Sequence, residues 1–388
     1  MIPFAYFRSA DKYKGFGLVE LMIALALGTV IILGVTTLFS DSSRALNDIN
    51  RAGRQIENSL YAMDLIAKEI ALVDYWGEAN TPVEPRDDNY GPLRDEELGD
   101  LEVGSYPSQP PLCAGTGATG FDPRVELGFA MKYPLLAGLG SEVNAAVAGG
   151  QCQAGGSTAS ATKAFFAVRR ASTCATGTGN IAAENRCRPV DDFFYMQTNG
   201  YYDPDENVDL VGGEVKLHRL DSVTLDGTLN YDAYAPAGQQ AESKAPIYRF
   251  VSRIYYVNQQ DQLVRLSLDN PAEGGLAYYQ EILAEGVEDL QFEWFIDEDL
   301  DGAYDSVRST RSPQGPDTPD FWEIAGNVVG ARVWLAVRSS RENPGYEDAP
   351  RTYMMAGEPW SVPPGKEAYP RTIQSRMVEL PNRVGARR

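Results

Sequence analysis

The sequence predicts an α+β fold in which one long N-terminal helix precedes an antiparallel β-sheet domain. Three observations support this prediction. An uncharged apolar segment runs from Leu21 to Phe39, a seven-residue apolar repeat continues beyond it, and short alternating segments dominate the second half of the chain. With 388 residues, the chain is long enough for this helix and one large or two smaller folded lobes.

The first part of the helix is long and apolar enough to cross a membrane. Leu21–Phe39 contains no charged residue, and a helix that rises ~1.5 Å per residue would span most of a bilayer core of ~30 Å. Residues 1–15 carry three basic side chains and one acidic side chain, which favours the cytoplasmic side for this leader. We therefore expect residues 16–40 to form the transmembrane half of the helix, and the rest of the chain to lie outside the inner membrane.

Glu20 lies near the start of this apolar segment, where a carboxylate is costly. Placing a charged side chain in lipid costs about 2.5–3.5 kcal/mol on insertion scales, so a partner that neutralises Glu20 is expected. An ordinary secretory signal would have a small-residue cleavage site after the apolar region. Here Phe39 leads instead into Asp41-Ser-Ser-Arg44. A simple signal anchor that carries Glu20 by chance is the alternative.

An apolar repeat extends the helix beyond the membrane segment. Its members recur at alternating steps of three and four residues, which places them on one helical face. We expect this half of the helix, residues 41–77, to end at Gly77. The stripe is expected to pack against the chain's own sheet, and a free coiled-coil seam is the alternative. The members of the stripe are Leu46, Ile49, Gly53, Ile56, Leu60, Met63, Ala67 and Ile70.

Residues 78–190 are dense in Pro, Gly, Ala and Ser and contain all four cysteines. From about residue 80 to residue 160 this composition predicts long loops with at most short strands. An even number of cysteines in an exported domain predicts two disulfides, for which three pairings exist. Because short loops close most easily, the pairs Cys113–Cys152 and Cys174–Cys187 are favoured.

Strand signals dominate after these loops, and residues 191–388 are predicted to form the antiparallel sheet domain. In Leu290–Ile296 apolar and polar residues alternate, so that one face of the strand is apolar. Asn258–Asp261 has the composition of a hairpin turn between two strands. A long helix followed by such strands gives an α+β architecture in which the sheet packs on the helix. The predicted strands are Ala164–Arg169, Phe193–Gln197, Val215–Val223, Ile247–Val257, Leu263–Leu268, Leu290–Ile296 and Ala331–Val337.

The acidic turn at residues 297–305 is the strongest metal candidate in the sequence. Its oxygen ligands fall at loop positions one, three, five and nine, with Gly302 at position six, and this pattern suits Ca²⁺. Position twelve is Arg308, where an EF-hand has a bidentate glutamate. We therefore expect an isolated calcium-binding turn, and a solvated acidic turn is the alternative. The expected ligands are Asp297, Asp299, Asp301, Asp305 and the backbone carbonyl of Ala303.

Composition and motifs argue against several functions. The formal net charge of −20 disfavours binding to nucleic acid and docking on anionic lipid. The sequence has no Gly-x-Ser-x-Gly segment, no phosphate-binding glycine-rich loop and no Cys-x-x-Cys pair. Its single histidine, His218, lies in a predicted strand, where a structural role is expected. Nothing singles out a catalytic pair among the 54 acidic residues. We therefore expect no catalytic residues and no enzyme activity.

The N-terminal segment resembles that of type IV pilins and of type II secretion pseudopilins. The resemblance rests on Gly15, Phe16 and Glu20, which fall at the spacing of that motif. It implies that a prepilin peptidase cuts after Gly15 and that the new N-terminal residue, Phe16, is methylated. It also implies that Glu20 pairs with the positive N-terminal amine of a neighbouring subunit in a filament.

Internal segments narrow the resemblance to the PilW group of minor pilins. It implies a type IV pilin-like fold and a non-enzymatic role in type IV pilus assembly, within an inner-membrane priming and pilus-tip complex. The partners it implies are other minor pilins and the major pilin, with a large tip adhesin as a further candidate. The chain would first sit in the inner membrane with a periplasmic C-terminal domain, and later at the pilus tip. The segments that carry the resemblance are Met63–Ile70, Asp74–Gly77, Ala284–Glu293, Ala331–Ser339, Asn343–Tyr346 and Arg351–Tyr353.

Two other classes of function remain open at this point. A type II secretion pseudopilin shares the N-terminal motif, although the length of the chain and its internal segments argue against that class. A membrane-anchored periplasmic hydrolase or sugar-binding protein is the second alternative. Such a protein would keep its activity in the isolated soluble domain and would not depend on Glu20.

Overall fold

A computed structural model describes the fold of this chain. The chain divides into two compact units, and the boundary between them falls inside helix α1 (Leu18–Ala71), because one unit ends at Arg54 and the other begins at Gln55. The residues that the structure describes are 17–77, 110–116, 133–152, 157–176, 193–198, 215–219, 247–270, 276–310, 319–343, 346–348 and 351–384.

The described residues contain four α-helices and thirteen β-strands, which is the α+β composition that the sequence predicts. The helices are α1 (Leu18–Ala71), α2 (Gly140–Ala148), α3 (Phe321–Ile324) and α4 (Pro381–Val384), with a short 3-10 helix at Ala325–Asn327. The strands are β1 (Leu135–Leu139), β2 (Ala164–Thr176), β3 (Phe194–Thr198), β4 (Val215–Arg219), β5 (Ile247–Val257), β6 (Gln262–Asp269), β7 (Ala277–Glu285), β8 (Val287–Ile296), β9 (Ser306–Ser309), β10 (Val328–Arg338), β11 (Thr352–Met355), β12 (Glu358–Ser361) and β13 (Arg371–Glu379).

Helix α1 ends at Ala71, earlier than the predicted end at Gly77. Residues 72–74 form turns, and Asp74 and Gly77 have φ angles of 63° and 77°, which lie in the left-handed region. At this end of the helix the Val73 carbonyl accepts a hydrogen bond from Asn382 Nδ2 at 2.9 Å. The sequence placed the end of the helix too late in the chain. The residues after Ala71 are mostly apolar or aromatic and give no local stop signal before Gly77.

Only the C-terminal part of the predicted apolar stripe of α1 is buried. Met63 and Ile70 are 4% and 0% exposed, as expected of residues that pack against a sheet. The expectation that the whole stripe packs on the sheet was wrong for Ile56 and Leu60, because the polar residues Gln55 and Ser59 take the buried positions at that level of the helix. The exposed apolar members are Leu46, Ile49, Ile56 and Leu60, with exposed fractions of 47–67%.

Polar side chains hold α1 where it passes β13. Gln55 Nε2 donates hydrogen bonds to the Val337 carbonyl and to Thr372 Oγ1, each at 3.0 Å. Gln374 Nε2 donates to Ser59 Oγ, also at 3.0 Å. Both helix residues are buried. Neutral hydrogen bonds of this kind contribute about 0.5–1.5 kcal/mol each, so this level of the helix is held less by apolar burial than the level after Met63.

Antiparallel pairing builds two sheets and a separate hairpin. In the seven-stranded sheet the order is β1-β2-β5-β3-β4, and β5 also pairs with β6, which pairs with β7. The four-stranded sheet has the order β13-β10-β8-β9, and β11 pairs with β12. Every predicted strand overlaps an observed one, and β5 has the predicted bounds. The residues Asn258–Asp261 join β5 to β6, as the turn prediction requires.

Gly286 carries the chain from the seven-stranded sheet to the four-stranded sheet. It lies between β7 and β8 with a φ angle of 77°. A Cβ atom at this position would lie 2.6 Å from the carbonyl oxygen of Arg338. The Gly286 carbonyl also accepts a hydrogen bond from the Arg338 amide at 2.8 Å. The close approach of β10 and the left-handed backbone both require glycine here.

The region predicted to be mostly loops, residues 78–190, contains a helix in its described part. Helix α2 follows β1 directly, and the Leu139 amide donates a hydrogen bond to Glu142 Oε1 at 2.9 Å, which caps the first turn. The apolar side chains that this short helix buries are those of Val143 and Ala146. The loop prediction was wrong here because the surrounding Gly and Ser residues mask a short capped helix of nine residues.

Two apolar cores stabilise the second unit. One gathers the buried face of α1 with residues of both sheets, including Ile66, Phe166 and Trp294. The other contains the buried face of α2 and the opposite face of the seven-stranded sheet, including Phe165 and Phe250. Burying one large apolar side chain contributes about 1.5–3 kcal/mol, so the first core fixes the C-terminal end of α1 to the sheets.

Candidate assembly segment and acidic loop

Glu20 lies in the first turn of α1. Its Oε2 atom accepts a hydrogen bond from the Gly17 amide at 3.1 Å, and a carboxylate is favourable at this end of a helix because the free amides and the helix dipole attract negative charge. The side chain is exposed, so the carboxylate is accessible to a group outside the chain. Gly15 and Phe16, the predicted cleavage and methylation residues, lie outside the described residues.

The rest of this segment presents apolar side chains that are exposed in the described part of the chain. Between Leu18 and Phe39 the large apolar side chains are 54–77% exposed, and Glu20 is the only charged residue. Thr36 Oγ1 donates a hydrogen bond to the Ile32 carbonyl at 2.6 Å, so this hydroxyl is satisfied within the helix. Among the described helices, α1 is the one long and apolar enough to cross a membrane. Such a surface requires lipid or other helices around it.

Glu69, near the other end of α1, was not singled out in the sequence. Its side chain is buried and forms an ion pair with Arg170 on β2 at 3.2 Å and a second one with Arg253 on β5. The local signal is a carboxylate next to the apolar residues Ile66, Ala67 and Ile70, in a segment that also contains Asp64 and Lys68. That signal marks a buried charge but not its partners, which lie about a hundred or more residues away in sequence.

The acidic turn between β8 and β9 brings three of its predicted ligands together. Carboxylate oxygens of Asp297, Asp299 and Asp305 lie within 4.8 Å of one another. Asp297 is fully buried, whereas Asp299 and Asp305 are exposed. Asp301 is not part of this group. Its Oδ1 accepts a hydrogen bond from the amide of Ala303 at 2.7 Å.

Hydrogen bonds from the backbone hold the carboxylates of this turn in place. The Gly302 amide donates to Asp297 Oδ2 at 3.0 Å, and the Glu298 amide donates to Asp305 Oδ2 at 2.7 Å. Gly302 has a φ angle of 92°, which only glycine adopts readily. Three carboxylates so close together repel one another, and hard divalent cations prefer oxygen ligands of this kind. The residues therefore fit a calcium ion.

The structure contains a disulfide between Cys113 and Cys152, which is the pairing that the sequence analysis favoured. Cys174 is also disulfide-bonded. Its predicted partner, Cys187, lies outside the described residues. His218 lies on β4, in the predicted strand.

The fold and the N-terminal segment together define a type IV pilin-like protein: a long N-terminal helix, apolar and exposed in its first part, packs its C-terminal part on antiparallel sheets. Residues 11–36 match the prokaryotic N-terminal methylation motif. Residues 254–382, from β5 to α4, match the PilW family, described as Type IV Pilus-assembly protein W. The two matched segments support a type IV minor pilin of the PilW kind, with a role in type IV pilus assembly.

Other comparisons add little to this identification. A type IV-like pilin from Thermus thermophilus is similar in structure, with 15% sequence identity and a TM-score of 0.20 over 38% of this chain and 75% of that one. A score this low carries no argument about the fold. No curated protein matches the chain. The PilW family consists of pilin-type structural proteins, and the apolar helix with its methylation motif indicates a membrane anchor in a pilus-associated protein.

Proposed function

We propose that this minor pilin acts at the start of pilus assembly, in an inner-membrane complex of minor pilins that remains at the pilus tip. Its role is assembly and not catalysis. The observation that carries the proposal is the exposed carboxylate of Glu20 at the head of an uncovered apolar helix. The neighbours that would cover this helix are the apolar helices of other minor pilins and of the major pilin.

Glu20 would supply the specific step of assembly. In lipid its carboxylate costs about 2.5–3.5 kcal/mol, and pairing with the positive N-terminal amine of a neighbouring subunit would remove that cost. The apolar side chains around it pack equally well against lipid or against another helix. The charge pair therefore sets the position of one helix along the other. The apolar contacts add buried surface but do not fix that position.

The pairing needs a free N-terminal amine, which cleavage between Gly15 and Phe16 would create. We propose that a prepilin peptidase makes this cut and that Phe16 is then methylated. Mass spectrometry of the protein purified from its native membrane would show a chain that begins at methyl-Phe16. An intact leader, or a new N-terminus beyond Phe39, would contradict processing at this site.

The size of the second unit supports a position at the filament end. This unit begins at Gln55 and extends over the remainder of the chain, and bulk that clashes in a filament shaft is tolerated at a tip. The domain would be periplasmic before assembly and would contact other minor pilins, with a large tip adhesin as a further candidate partner.

Immunogold labelling of sheared pili tests the tip position. Antibody against the second unit is expected to label the ends of filaments, and pilus counts should fall in cells that lack the chain and recover when it is restored. Label distributed along the shafts, or unchanged counts in its absence, would contradict a priming and tip role.

We further propose that the acidic turn binds one calcium ion through Asp297, Asp299 and Asp305, with Asp301 and the Ala303 carbonyl completing the site. The close approach of three carboxylates in a turn of oxygen ligands supports this proposal. The bidentate glutamate of an EF-hand is replaced by Arg308, so we expect an affinity in the range of about 10⁻⁴–10⁻³ M.

Calcium binding would stabilise the folded chain by about 2.7 kcal/mol at one hundred times the dissociation constant. Thermal unfolding with calcium and with chelator should differ for the wild-type chain and not for Asp299→Asn combined with Asp305→Asn. Glu298→Gln, a neighbouring carboxylate that is not an expected ligand, is the matched control and should keep the calcium response. Equal unfolding temperatures with and without calcium in the wild-type chain would leave the turn as a solvated acidic loop.

A further inference from the structure

Arg169 on β2 is a buried cation that is bound by carbonyl groups. Its side chain is 0% exposed. Nη1 donates a hydrogen bond to the Tyr133 carbonyl at 2.7 Å, and Nη2 donates to the carbonyls of Pro111 and Leu112. Within the part of the chain that the structure describes, no carboxylate forms an ion pair with this guanidinium, and its Nε makes no hydrogen bond.

A cation in this position is costly for the fold. Burial lowers the pKa of Arg169 to about 10, so the group is still charged at neutral pH. A buried charge without an opposite charge is unfavourable, and an apolar side chain of similar size would pack without that cost. The guanidinium is retained at a place where its fork of N–H donors can bind several carbonyls at once. The groups that Arg169 binds therefore indicate its role in the protein.

Two of the three carbonyls that Arg169 binds belong to the segment that contains Cys113. Pro111 and Leu112 precede this cysteine directly. On its other side, the Ala114 carbonyl accepts a hydrogen bond from Tyr278 Oη at 3.0 Å. The main chain on both sides of the cysteine is thus held by side chains of the seven-stranded sheet.

The segment that contains Cys152 is also bound by a residue of the seven-stranded sheet. The Tyr278 amide donates a hydrogen bond to the Cys152 carbonyl at 3.3 Å. Thr116 Oγ1 donates to the Gln151 carbonyl at 3.0 Å, which joins the two cysteine segments directly. None of these contacts uses the sulfur atoms. The Cα atoms of the two cysteines lie 4.9 Å apart, within the range that a disulfide requires.

We propose that Arg169 and Tyr278 form a positioning site that brings the Cys113 thiol to Cys152 before oxidation. The site selects this pairing over those that involve Cys174 or Cys187. Arg169 fixes the segment before Cys113, and Tyr278 connects the segment after it to the Cys152 carbonyl. The sheet thereby serves as the template on which the first disulfide of the chain closes.

The oxidation itself needs an electron acceptor, which is a thiol–disulfide oxidoreductase in its disulfide form. One protein thiolate attacks the donor disulfide, which gives a mixed disulfide and releases one donor thiol. The second protein thiolate then attacks the cysteine sulfur of the mixed disulfide and releases the other donor thiol. One disulfide forms and one is reduced, and two electrons and two protons pass to the donor. Arg169 and Tyr278 take no part in these exchanges and only set the distance between the two thiols.

Peptide mapping of the disulfides in the full-length chain, exported to the periplasm, tests the proposal. Arg169→Met should raise the proportion of chains in which Cys113 is paired with Cys174 or Cys187 by roughly tenfold or more, because hydrogen bonds to a charged donor are lost. Tyr278→Phe removes one neutral hydrogen bond and should give a smaller increase.

Arg170→Met is the matched control for these variants. Arg170 is the next residue on β2 and is 6% exposed, but it binds Glu69 and not the cysteine segments. It should lower stability without changing the pairing. Equal mispairing in Arg169→Met and Arg170→Met would overturn the proposal, because general destabilisation would then explain the effect.

Hydrogen exchange provides a second test that does not require Arg169→Met to fold. In the full-length chain with Cys113→Ser and Cys152→Ser, the amides of residues 112–116 should keep most of their protection, because Arg169 and Tyr278 still hold the segment. Adding Tyr278→Phe to this variant should then speed their exchange severalfold. Loss of protection on removal of the disulfide alone would show that the disulfide holds the segment, and would overturn the proposal.

Discussion

Glu20 and Glu69 belong to the two ends of one helix and meet opposite surroundings. Glu20 is exposed and lies among apolar side chains that none of the described residues covers. Glu69 is 8% exposed and is bound by two arginines of the seven-stranded sheet. Among the described residues, no cation pairs with the first carboxylate, whereas two pair with the second. This contrast supports the proposed role of Glu20 in assembly, where its partner would come from another subunit. Glu69 stabilises the fold, because the chain itself supplies its partners.

The apolar side chains of α1 show the same contrast. Ile49 is 67% exposed and Ile66 is fully buried. Each nevertheless lies three residues after another apolar residue of the helix, Leu46 or Met63. In the proposed function the apolar surface of the first part of α1 contacts lipid and neighbouring helices, whereas the last part is buried in the core. The following predictions test whether these two parts of the helix have separate roles.

Glu69→Gln should have the largest effect on stability. It leaves the buried guanidinium groups of Arg170 and Arg253 without their carboxylate, and breaking a buried pair in this way costs about 3–5 kcal/mol. Denaturant unfolding of the full chain in detergent, followed by tryptophan fluorescence, measures the free energy of unfolding. Glu57→Gln, an exposed position on the same helix, is the control and should change it by about 0.5 kcal/mol or less. A similar loss of unfolding free energy in both variants would mean that the buried ion pairs of Glu69 do not distinguish it from an exposed glutamate on the same helix.

Ile66→Ala should cost about 3 kcal/mol, because it removes apolar atoms from the core between α1 and the sheets and leaves a cavity. Ile49→Ala makes the same chemical change at an exposed position and should leave the unfolding free energy within about 0.5 kcal/mol of the wild type. The same unfolding assay compares them. If Ile49→Ala destabilised the second unit as much as Ile66→Ala, the two parts of the helix would not be energetically separate.

Asp261 extends the comparison to a third carboxylate whose partners all come from its own unit. It is 4% exposed and forms ion pairs with Lys163 at 3.2 Å, with Arg338 at 3.3 Å and with Lys366. Burial raises the pKa of Asp261, but the hydrogen bond from Lys366 and the charge of Lys163 outweigh burial and leave its pKa below the usual value. Because the folded-state pKa is the lower one, the stabilisation is present above the unfolded-state pKa of about 3.9 and is lost as pH falls through the folded-state value.

Asp261→Asn should therefore cost about 2 kcal/mol near neutral pH, and this difference from the wild type should shrink below about pH 4. Asparagine suits the position because Asp261 has a left-handed φ angle of 58°. Unfolding free energies of both chains from pH 7 to pH 3 provide the measurement. A difference that stays constant across this range would mean that the charge of Asp261 contributes nothing.

The sequence allowed prediction of the features that depend on local pattern. The uncharged run of α1, the strand Ile247–Val257 and the turn after it all follow from residues that are neighbours in the chain. The pairing Cys113–Cys152 followed from the short loop between the two residues. The convergence of Asp297, Asp299 and Asp305 likewise followed from spacing alone.

The features that sequence analysis missed depend on partners far away in the chain. The apolar spacing of Ile56 and Leu60 indicates a helical face but not what covers it, and here β13 selects Gln55 and Ser59 instead. The role of Arg169 was equally invisible, because it depends on carbonyls contributed by two separate segments. Local pattern gives the elements of this fold, and the long-range contacts decide which face of each element is buried.

The central claim is that Glu20 serves assembly and not the fold of its own chain. Glu20→Ala, expressed as the only copy, tests it by the recovery of the chain in sheared pili relative to its amount in the membrane. We expect an unchanged amount in the membrane and an unchanged unfolding free energy of the second unit, with strong loss of the chain from sheared pili and fewer pili per cell. Unchanged recovery in pili together with unchanged pilus counts would contradict the account.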